Sequence, residues 1–230
     1  MTTSSYISPL MLSLDAEAKA KGLIVLNECG LDPGIDILGT MKVVHEAKEA
    51  GHKVVSYESY CGGIPTAEQA DNPLGYKFSW NPGASIKASK NTSIFMKDGK
   101  RVVTNEPLKH TVDCPDVSVA MKLEAYPNRD STVFMDRFGM SDCHTFIRGT
   151  YRFTGFAGVS SIKLNLLTPV RVKILSLIIC FVLNVFRLFQ ASMTLVSHQM
   201  ISLKMEYATS ENSAPGASQR LLRKHFLATL

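Results

Sequence analysis

The chain has 230 residues, of which 45% are hydrophobic and 20% charged, and a formal net charge of +5. That balance is ordinary for a globular protein and excludes wholesale disorder, while the length allows one large domain or two small ones. The basic excess sits largely in the last third, in Arg171, Lys173, Arg187, Arg220, Arg223 and Lys224. No basic stripe with interleaved aromatics is present, so no nucleic-acid surface is expected.

In chain order, residues 1–21 read as one helix after a serine- and threonine-rich start, with Pro9, Leu10, Met11, Leu14 and Ala18 on an apolar face. Leu23–Leu26 reads as a short buried strand bounded by Gly22 and Gly30. Ile35, Leu38, Met41, Val44 and Ala47 recur at helical spacing, which predicts a helix from Ile35 to Ala50 stopped by Gly51. Lys53–Cys61 reads as a strand ended by Gly62-Gly63. From Ile64 to Ala84 the chain is loop-rich, and a connection that long is usually functional. Ser93–Val103 predicts a hairpin turned by Asp98-Gly99. Val117–Tyr126 and Ser131–Phe138 supply strand or short-helix material, and Gly149–Phe153 reads as a final strand. This alternation of helix and strand implies an α/β layer.

The stretch Gly30-Leu31-Asp32-Pro33-Gly34-Ile35-Asp36 falls between the first predicted strand and the helix that follows. Gly34 can take positive φ, and Asp32, preceding a proline, projects its carboxylate from the loop, a common ligand position in α/β proteins. Taken alone, Asp32 reads as a turn or capping residue. Arg129 and Arg152 alone read as surface arginines, though a guanidinium pairs bidentately with a carboxylate. Trp80, the one tryptophan, is either an aromatic plate over a ligand or core packing. The five cysteines, Cys29, Cys61, Cys114, Cys143 and Cys180, show no Cys-x-x-Cys pair, and the histidines no ligand spacing, so neither disulfides nor a metal is expected. No secretory signal opens the chain, which predicts a cytoplasmic protein.

Six words occur in order: Thr3-Ser4-Ser5-Tyr6; Gly30 to Asp36; Ser59-Tyr60-Cys61-Gly62-Gly63-Ile64-Pro65; Asn72 to Trp80; Tyr126-Pro127-Asn128-Arg129-Asp130-Ser131-Thr132; and Arg148-Gly149-Thr150-Tyr151-Arg152-Phe153. Together they resemble the saccharopine dehydrogenase (glutamate-forming) family of lysine metabolism. The resemblance implies an α+β fold, a mixed sheet flanked by helices, in a substrate domain over residues 1–156. Residues 157–230 then read as a divergent tail, apolar and afterwards polar. It further implies an oxidoreductase that interconverts saccharopine with glutamate and aminoadipate semialdehyde using NADP(H), with a small-molecule substrate and room for a homodimer.

By the same resemblance, Ser5, Tyr6, Asp32, Arg129, Thr150, Tyr151 and Arg152 line the substrate site, and Asp32 and Cys61 stand at the reacting amine. Leu31, Phe78, Ser79 and Trp80 stand near the cofactor. Ile37 departs from the family pattern, where a histidine is common, and Asn105–Val119 looks shortened. The sequence contains no Gly-x-Gly-x-x-Gly turn to hold a pyrophosphate. The expectation is therefore a fragment lacking most of its Rossmann domain and inactive alone. The alternatives are an inactive remnant or an interaction protein. A membrane anchor is less favoured, because the uncharged run Ile174–Phe186 is too short to span.

Overall fold

The computed structural model describes residues 1–66, 69–72, 76–77, 88–115, 117–118, 121–158, 197–208 and 221–229. Its centre is one mixed sheet. β1 (Lys53–Pro65) lies parallel to β6 (Thr145–Phe153), pairing Ser56 with Thr145 through Cys61 with Thr150. On the other side of β1 runs β7 (Ser197–Ala208), antiparallel, followed by β8 (Leu221–Thr229). The free edge of β6 is shared. β2 (Ser93–Lys97), with its hairpin partner β3 (Lys100–Thr104), meets its start, and β5 (Leu123–Pro127) pairs along its second half. A two-residue strand β4 (Val112–Asp113) caps β5. The α+β class expected from the sequence is what the chain adopts.

α-Helices lie beside the sheet. The predicted N-terminal helix divides at Leu14 into α1 (Pro9–Ser13) and α2 (Asp15–Ala20). Ser8 caps α1 by accepting from the Met11 N–H at 3.2 Å, while α2 carries two exposed lysine–carboxylate pairs, Lys19–Asp15 and Lys21–Glu17. Such pairs contribute a few tenths of a kcal/mol each. The apolar face expected of this segment is not buried, for Leu10, Met11 and Leu14 all face solvent. Leu23–Leu26 is likewise exposed rather than a buried strand. Its pairing is one parallel bridge between Leu26 and Thr2, fixed by backbone bonds to Met1 and Thr3, too short a ladder to form a strand.

α3 (Ile35–Glu49) matches the predicted span, but its inward face is rotated from the expected one. Asp36, Thr40, Val43, Val44 and Ala47 point inward, whereas Leu38 and Met41 are exposed. Two polar residues can take inward positions because both are hydrogen-bonded. Asp36 accepts from the Gly34 N–H at 2.8 Å, and the Thr40 hydroxyl lies 2.9 Å from that of Tyr57.

Alternation along the strands divides the core in two. On the face covered by α3, here the site face, Val43, Val44, Tyr57, Phe138, Phe146, Leu203 and Met205 pack together. On the opposite face Tyr60, Ile64, Phe95, Leu123, Ile147 and Tyr151 do so. The hairpin turn is as predicted, with positive φ at Asp98 (51°) and Gly99 (76°). Two strand boundaries differ from expectation. β1 continues through Gly62-Gly63, and β6 begins at Thr145 and is central in the sheet rather than last.

Gly62 explains the first difference. A Cβ there would stand 2.7 Å from the Tyr151 carbonyl oxygen, so the glycine permits close strand approach rather than ending the strand. Gly62→Ala is expected to cost roughly 2–4 kcal/mol, because backbone must move to accept the methyl. Gly99→Ala meets no neighbouring atom within 4 Å but keeps a positive φ, and should cost about 1 kcal/mol. Urea unfolding of the two variants checks the order; equal losses would contradict the close-approach account.

Candidate functional site

The loop before α3 is built to aim two carboxylates. Gly30 and Gly34 form a bridge so tight that a Cβ on Gly34 (φ 152°) would stand 1.9 Å from the Gly30 carbonyl oxygen. The Asp32–Pro33 peptide bond is cis. Leu31 and Gly30 carbonyls receive the first N–H groups of the helix, from Asp36 at 3.1 Å and Ile35 at 2.9 Å. Asp36 sits in the first turn of α3, where the helix dipole favours an anion, and is 1% exposed. Asp32 stays at the rim, with its side chain 30% exposed.

β6 brings a cation to both. Arg148 points to the site face with its backbone pinned on either side. Its N–H donates to Ser131 Oγ at 2.9 Å, and its carbonyl accepts from the Asn128 N–H at 3.0 Å. The guanidinium lies 4.1 Å over the Phe134 ring, a cation–π contact. Its Nη2 donates to Asp32 Oδ1 at 3.1 Å, to Tyr6 Oη at 3.4 Å and, at short range, to Asp36 Oδ2. The Tyr6 hydroxyl in turn donates a short bond to Asp32 Oδ1. One guanidinium thus joins the N-terminal arm, the loop and the helix to the sheet.

The electrostatics follow from that count. Burial and the neighbouring Asp32 charge raise the Asp36 pKa above the ordinary carboxylate value of 3.8, with Arg148 opposing. Arg148 is pulled the other way from what burial alone would do: burial disfavours its charge, but Asp32, Tyr6, Tyr57 and Asp36 raise its pKa further. Asp36 is raised because one guanidinium divided between two carboxylates does not offset near-complete burial of one of them. The Tyr6 hydroxyl is raised by burial and by Asp32, and so remains a donor.

A second clasp holds the arm. Arg137 donates to both carboxylate oxygens of Glu28, and this hydrogen bonding holds the Glu28 pKa below its usual value. Ser5 lies on the same arm, exposed, its carbonyl accepting from the Glu28 N–H at 3.2 Å. Arg129, at positive φ (58°), is exposed, with its guanidinium 5.9 Å from the Tyr6 ring centroid. It makes no ion pair among the described residues.

Arg152 and Thr150 share the face of Arg148. Arg152 is buried between the rings of Tyr76 (4.6 Å) and Phe156 (5.3 Å), donates to the Tyr151 carbonyl at 2.7 Å, and has a buried Nε without a partner. Thr150 Oγ1 accepts from Asn128 Nδ2 at 3.3 Å. The structure therefore gathers Tyr6 and Asp32 with Arg129 beside Tyr6, and sets Thr150 and Arg152 further along the same face.

It does not bring Tyr151 to them. Strand alternation turns that ring to the opposite face, 5.5 Å from Tyr60 and 1% exposed. Leu31 packs against the core beneath α3 rather than presenting a surface. Cys61 also packs against that core, and burial followed by the Asp32 and Asp36 charges pushes its thiol pKa up, which favours the thiol over the thiolate. Phe78, Ser79 and Trp80 lie outside the described residues.

Sequence reasoning passed over Asp36 and Arg148. The signal for Arg148 was parity: positions 148, 150 and 152 of one strand share a face. A cavity of about 960 Å³ lies across the sheet from this cluster, with Glu58, Tyr60, Phe95, Cys114, Ile147 and Lys204 in its wall. Size alone does not make it the site, for among the described candidate residues the inward-packed Tyr151 ring is the one that borders it.

The model of the saccharopine dehydrogenase C-terminal domain matches residues 30–212. The chain belongs to the saccharopine dehydrogenase family. It is 45% identical over 157 residues to the saccharopine dehydrogenase [NADP(+), L-glutamate-forming] of Saccharomyces cerevisiae, covering 68% of this chain and 35% of that protein. It is 40% identical over 159 residues to the mitochondrial alpha-aminoadipic semialdehyde synthase of Rattus norvegicus, covering 68% and 17%. Among solved structures, the apo histidine-tagged saccharopine dehydrogenase (L-Glu forming) of S. cerevisiae matches with a TM-score of 0.72 at 26% identity, over 99% of this chain and 65% of that one. The chain thus spans about a third of the length of its curated yeast relative. No helix among the described residues is long and apolar enough to cross a membrane.

The raised Asp36 pKa makes a stability prediction for this family member. A carboxyl whose folded pKa exceeds its unfolded value contributes stability at low pH that is lost as pH rises through the folded value. Wild type should therefore lose stability relative to Asp36→Asn as pH rises from about 4 toward 7. Urea unfolding across that range checks it; a gap that widens in favour of wild type with rising pH would contradict the assignment.

Proposed function

We propose that the site face of this chain binds saccharopine as the substrate-holding part of an NADP-linked, glutamate-forming saccharopine dehydrogenase. Saccharopine is a secondary amine bearing three carboxylates, so its site needs an anion for the ammonium and cations for the carboxylates. The observation that carries the reading is Asp32, a rim carboxylate on the same face as two arginines, exposed Arg129 and buried Arg152.

In this reading Asp32 holds the ammonium and takes its proton, since an amine must lose a proton before hydride can leave the neighbouring carbon. Arg129 and Arg152 pair with carboxylates, and the unpartnered Arg152 Nε supplies a donor already desolvated. Cys61 packs beside the amine as a thiol. NADP appears in the name of the yeast relative. This chain has no Gly-x-Gly-x-x-Gly turn to hold a pyrophosphate, and among its described residues Leu31 packs inward.

Two outcomes are expected of the purified 230-residue chain. It should bind saccharopine by calorimetry, yet give no saccharopine-dependent NADPH formation. Arg129→Ala should weaken saccharopine binding about tenfold to a hundredfold, the loss of one charge-assisted carboxylate contact worth roughly 1.5–3 kcal/mol. Turnover by the chain would contradict the substrate-half reading, and unchanged affinity in Arg129→Ala would make Arg129 a surface residue.

A further inference from the structure

We propose that Arg148 is a positioning residue for this site: braced by Asp36, it fixes the Asp32 carboxylate and the Tyr6 hydroxyl so that the cluster receives the ammonium of an aminated ligand. The inference rests on the saccharopine reading above. It adds the reason why the site would prefer an amine-bearing polycarboxylate to one without the amine.

Three features carry it. Arg148 contacts groups from three separate segments, Tyr6 on the arm, Asp32 on the loop and Asp36 in α3. Its own position is overdetermined by Ser131, Asn128 and the Phe134 ring, so what it holds is held rigidly. It is also sealed from solvent. Arg148 is buried with Nη2 engaged by two carboxylates, so it is less accessible to a substrate carboxylate than exposed Arg129.

The charge count gives the preference. Two carboxylates against one guanidinium leave one negative charge, and because Asp36 is sealed at 1% exposure, that charge is presented to solvent at Asp32. The complement is a monocation at the rim, flanked by arginines. A lysine at position 148 would keep the charge but not the planar guanidinium that lies over the Phe134 ring while its Nη2 reaches both carboxylates.

The test compares two ligands on the full chain by ligand-observed NMR: saccharopine, and glutarate, which has two carboxylates and no amine. Arg148→Lys should reduce the saccharopine-to-glutarate affinity ratio about tenfold or more while glutarate binding changes by less than about threefold. A purely structural role would weaken both ligands together and leave the ratio unchanged, which overturns the proposal. Should Arg148→Lys fail to fold, Asp36→Asn decides. Neutralising Asp36 turns the guanidinium wholly to Asp32, so the same ratio should collapse about tenfold, and an unchanged ratio overturns the proposal. A wild-type chain that binds neither ligand removes the saccharopine reading itself, a result distinct from a wild-type chain that binds saccharopine while the variants keep its preference.

Discussion

A buried guanidinium shared by two carboxylates organises this molecule. Taking Arg148 out of water costs several kcal/mol, and a cation in that position is tolerated only because oxygens surround it. Each of those oxygens arrives by a different device. The glycine pair Gly30–Gly34 closes the loop that aims Asp32, the first turn of α3 presents Asp36, and the arm is clasped by Glu28–Arg137 so that Tyr6 reaches the same point. The site is thus where the arm, the helix and the sheet meet, and its charge pattern is inseparable from the packing that joins them.

The sheet separates chemistry from packing by parity. On β6, Arg148, Thr150 and Arg152 face the site, while Ile147, Tyr151 and Phe153 face the opposite core. Glycine serves this division. A Cβ at Gly149 would stand 2.4 Å from the Tyr126 carbonyl oxygen, so the strands can approach closely beside the site. The opposite face carries the cavity of about 960 Å³, whose wall mixes acidic and basic residues such as Glu58 and Lys204.

What could be read from the sequence was mostly local. The span of α3, the Asp98-Gly99 hairpin and the placing of Asp32 in a loop before a helix follow from spacing and turn chemistry, and the structure has them. The rotated face of α3 was hidden because Asp36 and Thr40 look like solvent-facing residues until their hydrogen bonds are known. Leu23–Leu26 looked buried because apolar runs usually are, yet burial depends on what packs over them, which no local pattern states. Asp36 was illegible for a related reason, and parity gave the face of Arg148 but not its partner. A lone arginine and a helix-start aspartate are ordinary residues, and the packing of α3 over the sheet brings them together across 112 positions of sequence. Tyr151, by contrast, followed its matched motif into the substrate list, and strand alternation removes its ring from that face.

The most direct measurement is a crystal structure of the chain with saccharopine bound. The account predicts the ligand nitrogen within about 3 Å of an Asp32 carboxylate oxygen, with ligand carboxylates on Arg129 and Arg152 and the Arg148–Asp36 contact intact. Saccharopine lodged instead in the cavity beside Glu58 and Lys204, or held by Arg148 through a carboxylate with Asp36 displaced, would contradict it.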